Sequence, residues 1–231
     1  MEAKEQYDLI CSLGGNCAAA HNLLIRNLRP ASYPFDWTYF NSDKAVYVLE
    51  DGFKSGFKSY MLEENFKELP VNPSHPDRIQ YEDTYGGIVW ANHFSYNENK
   101  EENYKKVKEN FDRRFVRLLD SIQASKTILF LFCTAFFIEP DSFLHLMKAL
   151  RVIYPGKNFK IIVVSFACNA DSKFEKENVE IFYYKRKIHD YDFLQTSCEW
   201  SFLDNIKPFK KKRDHISFKL FGYRIKVEWK K

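Results

Sequence analysis

No stretch of this chain approaches the roughly 20 consecutive apolar residues that cross a bilayer. The polar residues 1–7 lead straight into a strand-like run, without the charged leader and apolar core of an export signal. The expectation is a cytoplasmic protein. Cysteine is scarce and odd in number, five at positions 11, 17, 133, 168 and 198, with no CxxC pair and no zinc spacing. Such a set predicts reduced thiols rather than a disulfide framework, and no metal site. A Walker loop, GxGxxG and HExxH are all missing, which removes the commonest phosphate, dinucleotide and zinc-protease motifs. Internal repeats and low-complexity linkers are missing as well.

What is present suits a globular chain. Apolar residues make up 45% and charged residues 29% of the 231, a balance that excludes disorder. Aromatics reach 17%, with 22 Phe and 14 Tyr, enough for a large core and for stacking sugars or other flat ligands. The net charge of +4 is unevenly spread. Residues 207–231 carry ten basic and two acidic side chains, leaving 25 basic and 29 acidic in residues 1–206. The switch falls at the basic run 210–213. A cluster of this kind attracts polyanions or is a solvated tail. The candidate polyanions are nucleic acid, anionic lipid at the inner face of the membrane and a phosphorylated glycan carrier. Nucleic acid is disfavoured, because the body is acidic and holds no recognised binding motif.

Residues 7–13 read as a buried strand ended by Gly14 and Gly15, with Asn16 capping a helix over 17–27. Residues 43–68 read as helical pieces broken at Gly52 and Gly56, and 71–83 as loop around Pro73 and Pro76. A strand over 87–94 follows. Apolar residues at three- and four-residue steps predict a helix over 101–122. Strands over 127–132, 159–166 and 179–184 flank a helix over 141–153. Strands alternating with helices predict an α/β fold, a mainly parallel sheet flanked by helices. The alternation around Gly222 adds a short basic C-terminal β-hairpin. Residues 1–206 are expected to form one domain and 207–231 an appendage, packed on its own domain or facing a membrane.

Cys17 holds the most suggestive position. It follows a strand and a Gly-Gly turn and opens a helix, where unpaired N–H groups and the helix dipole favour a thiolate. The same N–H groups near Gly14, Gly15 and Asn16 suit an oxyanion. The alternative is a structural cysteine. A working thiol needs a base. His93 ends a predicted strand, where active-site residues of parallel sheets gather. His21 lies one helical turn after Cys17, on the same face. Asp36, between Phe35 and Trp37, either orients a histidine or substrate or anchors its own loop. Arg113 and Arg114 either hold a substrate anion or are solvated on a helix surface. His75, His145, His189 and His215 read as ordinary loop, helix or surface residues.

Tyr7-Asp-Leu-Ile-Cys-Ser-Leu-Gly-Gly-Asn-Cys17, Arg29-Pro-Ala-Ser-Tyr-Pro-Phe-Asp-Trp37, Asn92-His-Phe94 and Arg113-Arg-Phe-Val-Arg-Leu-Leu119 resemble the bacterial papain-like cysteine peptidase family also known as domain of unknown function 1796. The resemblance covers residues 7 to about 185. It implies Cys17 as nucleophile, His93 as its partner and Asp36 as a third site residue, with Asn92 and Trp37 lining the site. The Gly-Asn-Cys turn is also similar to that of capsule-biosynthesis acetyltransferases, which implies a coenzyme A thioester as a cofactor. The segment 218–227 resembles C-terminal tails of bacterial polysaccharide glycosyltransferases, which implies a glycan substrate and a role in surface-polysaccharide biosynthesis. Together the residues and the resemblances point to a cysteine-nucleophile acyl-transfer enzyme, a hydrolase or an acyltransferase, with a non-catalytic glycan-assembly binding protein as the rival reading.

Overall fold

The computed structural model describes residues 4–40, 44–73, 75–166, 168–185, 198–209, 215–220 and 223–228. Five strands form one sheet: β1 (Leu9–Ser12), β6 (Thr127–Thr134), β7 (Asn158–Ser165), β8 (Ser172–Lys176) and β9 (Val179–Tyr183), in the order β1-β6-β7-β9-β8. The pairs β1/β6, β6/β7 and β7/β9 are parallel, and only β8 runs antiparallel, against β9. Both faces of this sheet are buried. Cys11, Ile128, Phe130, Phe132, Ile161 and Val163 face one core, whereas Ile10, Leu129, Leu131, Cys133, Ile162 and Val164 face the other. A period of two in which every position is apolar is the mark of a sheet covered on both sides.

The larger core receives α2 (Lys44–Ser55), α3 (Lys100–Ala124) and α4 (Pro140–Ile153). The smaller one receives α1 (Ala18–Ile25) and a 3₁₀ segment, Cys198–Asn205, through the fully buried Trp200. A second sheet, entirely antiparallel, has the order β2-β5-β4-β3, built from β2 (Tyr39–Phe40), β3 (Phe66–Glu68), β4 (Arg78–Asp83) and β5 (Ile88–Ser95). It packs Ile79, Tyr81, Ile88, Trp90 and Phe94 into the larger core beside α3. Strands β10 (His215–Leu220) and β11 (Tyr223–Glu228) pair antiparallel as the expected hairpin. Gly222, His189 and the basic run 210–213 lie outside the described residues.

The α/β class with a mainly parallel sheet agrees with the sequence reading. Four local expectations do not, the first at 66–68, which the sequence reads as helical and which forms strand β3 paired to β4. Residues 78–83 are strand β4, not loop; Ile79, Tyr81 and Asp83 alternate as buried residues with less buried neighbours. Gly52 does not break α2 but lies inside it, because a Cβ there would stand 2.5 Å from the Phe57 ring. Helix α1 stops at Ile25, two residues early, and Asn27 turns the chain with φ 56°.

Candidate active site

The end of β1 is tied into both sheets. Leu13 N–H donates to the Leu131 carbonyl, Cys133 N–H to the Gly14 carbonyl and Phe40 N–H to the Gly15 carbonyl. Gly14 and Gly15 have φ of 89° and 86°, in the left-handed region that favours glycine. A Cβ on Gly15 would lie 2.1 Å from the Cys133 carbonyl oxygen, so the turn closes only because that atom is missing. Asn16 is buried, and its Oδ1 accepts the Ala18 N–H at 2.9 Å, but the cap of α1 is Cys17, one residue later than the sequence reading placed it, and its side chain makes no capping bond. Cys17 then stands at the cap position of α1, with the small, buried Ala18, Ala19 and Ala20 behind it.

The thiol is 7% exposed and meets the hydroxyl of Tyr39, with Sγ and Oη 3.7 Å apart. Burial pushes its pKa up, and the Tyr39 hydroxyl opposes that shift only in part. The expectation of an ionised resting thiolate is thereby corrected: removal of the sulfur from water outweighs the favourable end of an eight-residue helix.

His93 occupies an interruption in β5, inside an antiparallel strand and not at the end of a parallel one as the sequence reading had it. Ile79 pairs with Phe94 and Tyr81 with Trp90, so residues 91–93 stand opposite Gln80 alone. A bulge of this kind breaks the alternation and re-aims a side chain. The His93 ring lies edge-on to Phe111 of α3 at 4.8 Å, and its Nε2 is buried without a hydrogen-bond partner. Burial, then the Arg114 guanidinium, pushes its pKa down to about 4, against the favourable Trp37 carbonyl. The imidazole is therefore neutral near pH 7. Among the described residues no hydrogen bond joins it to Cys17, so the resting structure holds a neutral thiol and a neutral imidazole on separate partners.

Asp36 is fully buried and pairs with Arg29. Its Oδ2 accepts from Arg29 Nε at 2.9 Å and from the Tyr33 N–H at 2.7 Å, while Oδ1 has no partner. Burial raises its pKa despite Arg29. Of the two sequence readings, these bonds match the anchored loop; among the described residues no histidine bonds the carboxylate. Trp37 is half-buried with the Arg29 guanidinium over its ring at 5.7 Å. His21 is half-buried on α1, and its N–H bonds the Cys17 carbonyl. Asn92 lies in β5. Arg113 is exposed and bonds Asn110, whereas Arg114 lies 4.9 Å over the Phe111 ring.

Two residues escaped the sequence reading. Arg29 stands within the motif segment before Asp36, and a buried carboxylate next to proline and aromatics is a signal for such a cation. Tyr39 carries no local signal, because only the crossing of β2 past the Gly-Gly turn brings it to the sulfur. Of the other thiols, Cys11, Cys133 and Cys168 are also buried, and burial pushes the pKa of the first two well up. The side chain of Cys198 lies outside the described residues.

A thiol on a left-handed glycine turn at a helix start, in an α/β fold, defines the class to compare against. The family model described as Putative papain-like cysteine peptidase (DUF1796) matches residues 8–169, and the chain belongs to that family. No curated protein and no solved structure matches the chain.

Proposed function

We propose that the protein is a thiol-dependent hydrolase of acyl bonds with Cys17 as its nucleophile. The observation that carries this reading is the placement of Cys17 at the N-cap of α1, after two left-handed glycines and against the Tyr39 hydroxyl. The backbone N–H groups of Gly15, Asn16 and Cys17 suit the oxyanion of a tetrahedral intermediate, whereas those of Gly14 and Ala18, bonded to Ser12 Oγ and Asn16 Oδ1, do not. Family membership supports the same chemistry.

In the resting state the sulfur keeps its proton. Substrate binding must bring Sγ and the unpartnered His93 Nε2 within reach, since hydrogen bonds of a catalytic pair often tighten only in the complex. The imidazole then takes the thiol proton, Sγ bonds to the acyl carbon, and the leaving group departs with that proton. Water cleaves the resulting thioester and regenerates the thiol. With an alcohol in place of water, the same steps transfer the acyl group from coenzyme A to a glycan hydroxyl.

The test is release of product from activated esters, peptides and acetyl-coenzyme A by the wild type and Cys17→Ser. The Ser variant is expected to lose at least about 10³-fold in rate with an unchanged unfolding midpoint. An equally active Ser variant would sink the nucleophile. Free coenzyme A appearing only when a glycan acceptor is added would favour transfer over hydrolysis.

A further inference from the structure

The loop 29–37 crosses α3 beside His93. Tyr33 Oη bonds Ser121 Oγ at 3.2 Å, and Arg117 Nη1 donates to the Ser32 carbonyl at 2.7 Å. Phe111 lies one helical turn before Arg114. It meets the His93 ring edge-on at 4.8 Å and carries the Arg114 guanidinium over its face at 4.9 Å. One phenylalanine thus holds an imidazole and a guanidinium side by side.

The charges gathered here do not balance. The groups that act most strongly on Arg114 are Asp36 and the guanidiniums of Arg29, Arg117 and Arg113. Each of those three cations has an acceptor of its own. Arg29 donates to Asp36 and Ser32 Oγ, Arg113 to Asn110 and Arg117 to the Ser32 carbonyl. Arg114 has none: among the described residues it donates no hydrogen bond and forms no ion pair, although it is half-buried. Asp112, its neighbour on α3, is taken up by Lys108. A guanidinium keeps its charge at any ordinary pH, so partial burial among like charges is a cost that nothing in the chain offsets. Asp36 Oδ1 and His93 Nε2, both within the reach of that charge, are buried without partners as well.

We propose that Arg114 binds an oxyanion of the substrate, a carboxylate or a phosphate group, beside His93. The planar fork of guanidinium N–H donors matches either group with two parallel bonds. Exposed Arg113 and Arg117 draw the anion in from the solvent side. A cation is repelled by four guanidiniums against one carboxylate, and a neutral group leaves the excess charge unmatched. That the anion belongs to the substrate rests on the reading of Cys17 and His93 as a catalytic pair; its binding does not.

The bound anion also acts on His93. Burial lowers the basicity of this ring most, followed by Arg114, with a further contribution from Arg78 of β4, which pairs with Asp77; the Trp37 carbonyl opposes them. Cancelling the Arg114 charge removes the second of these effects. The imidazole therefore becomes a stronger base towards the thiol when an anionic substrate is in place.

The full-length protein is titrated near neutral pH with inorganic phosphate and, separately, with acetate, each against sodium chloride of equal ionic strength. The Arg114 Nε–H and His93 Hε1 resonances are followed. At least one of the two anions is expected to move both signals saturably beyond the chloride effect, and to raise the pH midpoint of His93. Arg114→Gln should weaken the binding read at His93 Hε1 at least about tenfold. Phosphate binding more tightly than acetate assigns the site to a phosphorylated ligand; acetate binding as tightly or more tightly assigns it to a carboxylate. Signals that follow ionic strength alone, or a His93 response of equal affinity in Arg114→Gln, would overturn the proposal. The same titration of Cys17→Ser should be unchanged, so failure of the nucleophile and failure of this site are read separately.

Discussion

The Tyr39 hydroxyl is the one side-chain partner of the Cys17 sulfur among the described residues, and it favours the thiolate that burial opposes. Tyr39→Phe therefore raises the thiol pKa further. Alkylation by iodoacetamide, followed by mass spectrometry against pH, is expected to be slow at neutral pH and slower still in the variant. The imidazole of His93 moves the other way. With its pKa pushed down to about 4, its Hε1 resonance should stay fixed from pH 8 to 5, and the acid limb of any pH-rate profile should fall near pH 4 instead of 6.5. The buried Arg29–Asp36 pair is the third residue-scale test. Arg29→Ala leaves a buried carboxylate without its cation and should cost about 3–5 kcal/mol in urea unfolding. Burial already raises the Asp36 pKa, so its favourable contribution is complete below the unfolded carboxylate pKa and is lost as pH rises through the folded value. Loss of Arg29 lifts that value further. The deficit of the variant should then be largest at neutral pH and shrink on acidification.

Single elements show what could be read from the chain and what could not. Helix α3 was legible almost to its ends, 101–122 against Lys100–Ala124, because its apolar stripe repeats at the helical period over six turns. The parallel strands were legible as short apolar runs. Strand β4 was not: Pro73 and Pro76 just before it signal a loop, and its alternation of Arg78, Gln80 and Glu82 with Ile79, Tyr81 and Asp83 is charged enough to hide. Gly52 looked like a helix breaker, yet its reason is the Phe57 ring pressed against the helix, a tertiary contact with no local trace. The same divide runs through the candidate site. The position of Cys17 at a helix start follows from local sequence, whereas its burial and its tyrosine partner arise from β2, more than twenty residues on. The glycine turn gives an element-scale prediction. Gly15→Ala must place its Cβ against the Cys133 carbonyl in a left-handed backbone, and should lower stability by more than about 2 kcal/mol as measured by urea unfolding.

For the whole molecule, charge is the property that local structure does not absorb. The acidic body and the basic C-terminal stretch have opposite preferences for an anionic surface. We propose that residues 210–231, nine of them basic and two acidic, hold the protein to anionic lipid. A chain cut after Phe209 should sediment less with vesicles containing phosphatidylserine than the full chain does, and the difference should vanish in 0.5 M salt, where the Debye length falls to about 4 Å. Equal sedimentation would remove that role. Among the described residues no helix is long and apolar enough to cross a membrane.

Glu5 and Ile206 form an isolated parallel bridge, with Glu5 N–H donating to the Asn205 carbonyl and Lys207 N–H to the Glu5 carbonyl. Positions two hundred residues apart in sequence are thus adjacent in space. A short linker from 206 back to 5 would splice them, and the exposed turn at Gly156, with open space around it, offers a place to cut. Such a circular permutant retains every pairing of the two main sheets, so it should fold, with Cys17 no longer near the start of its chain.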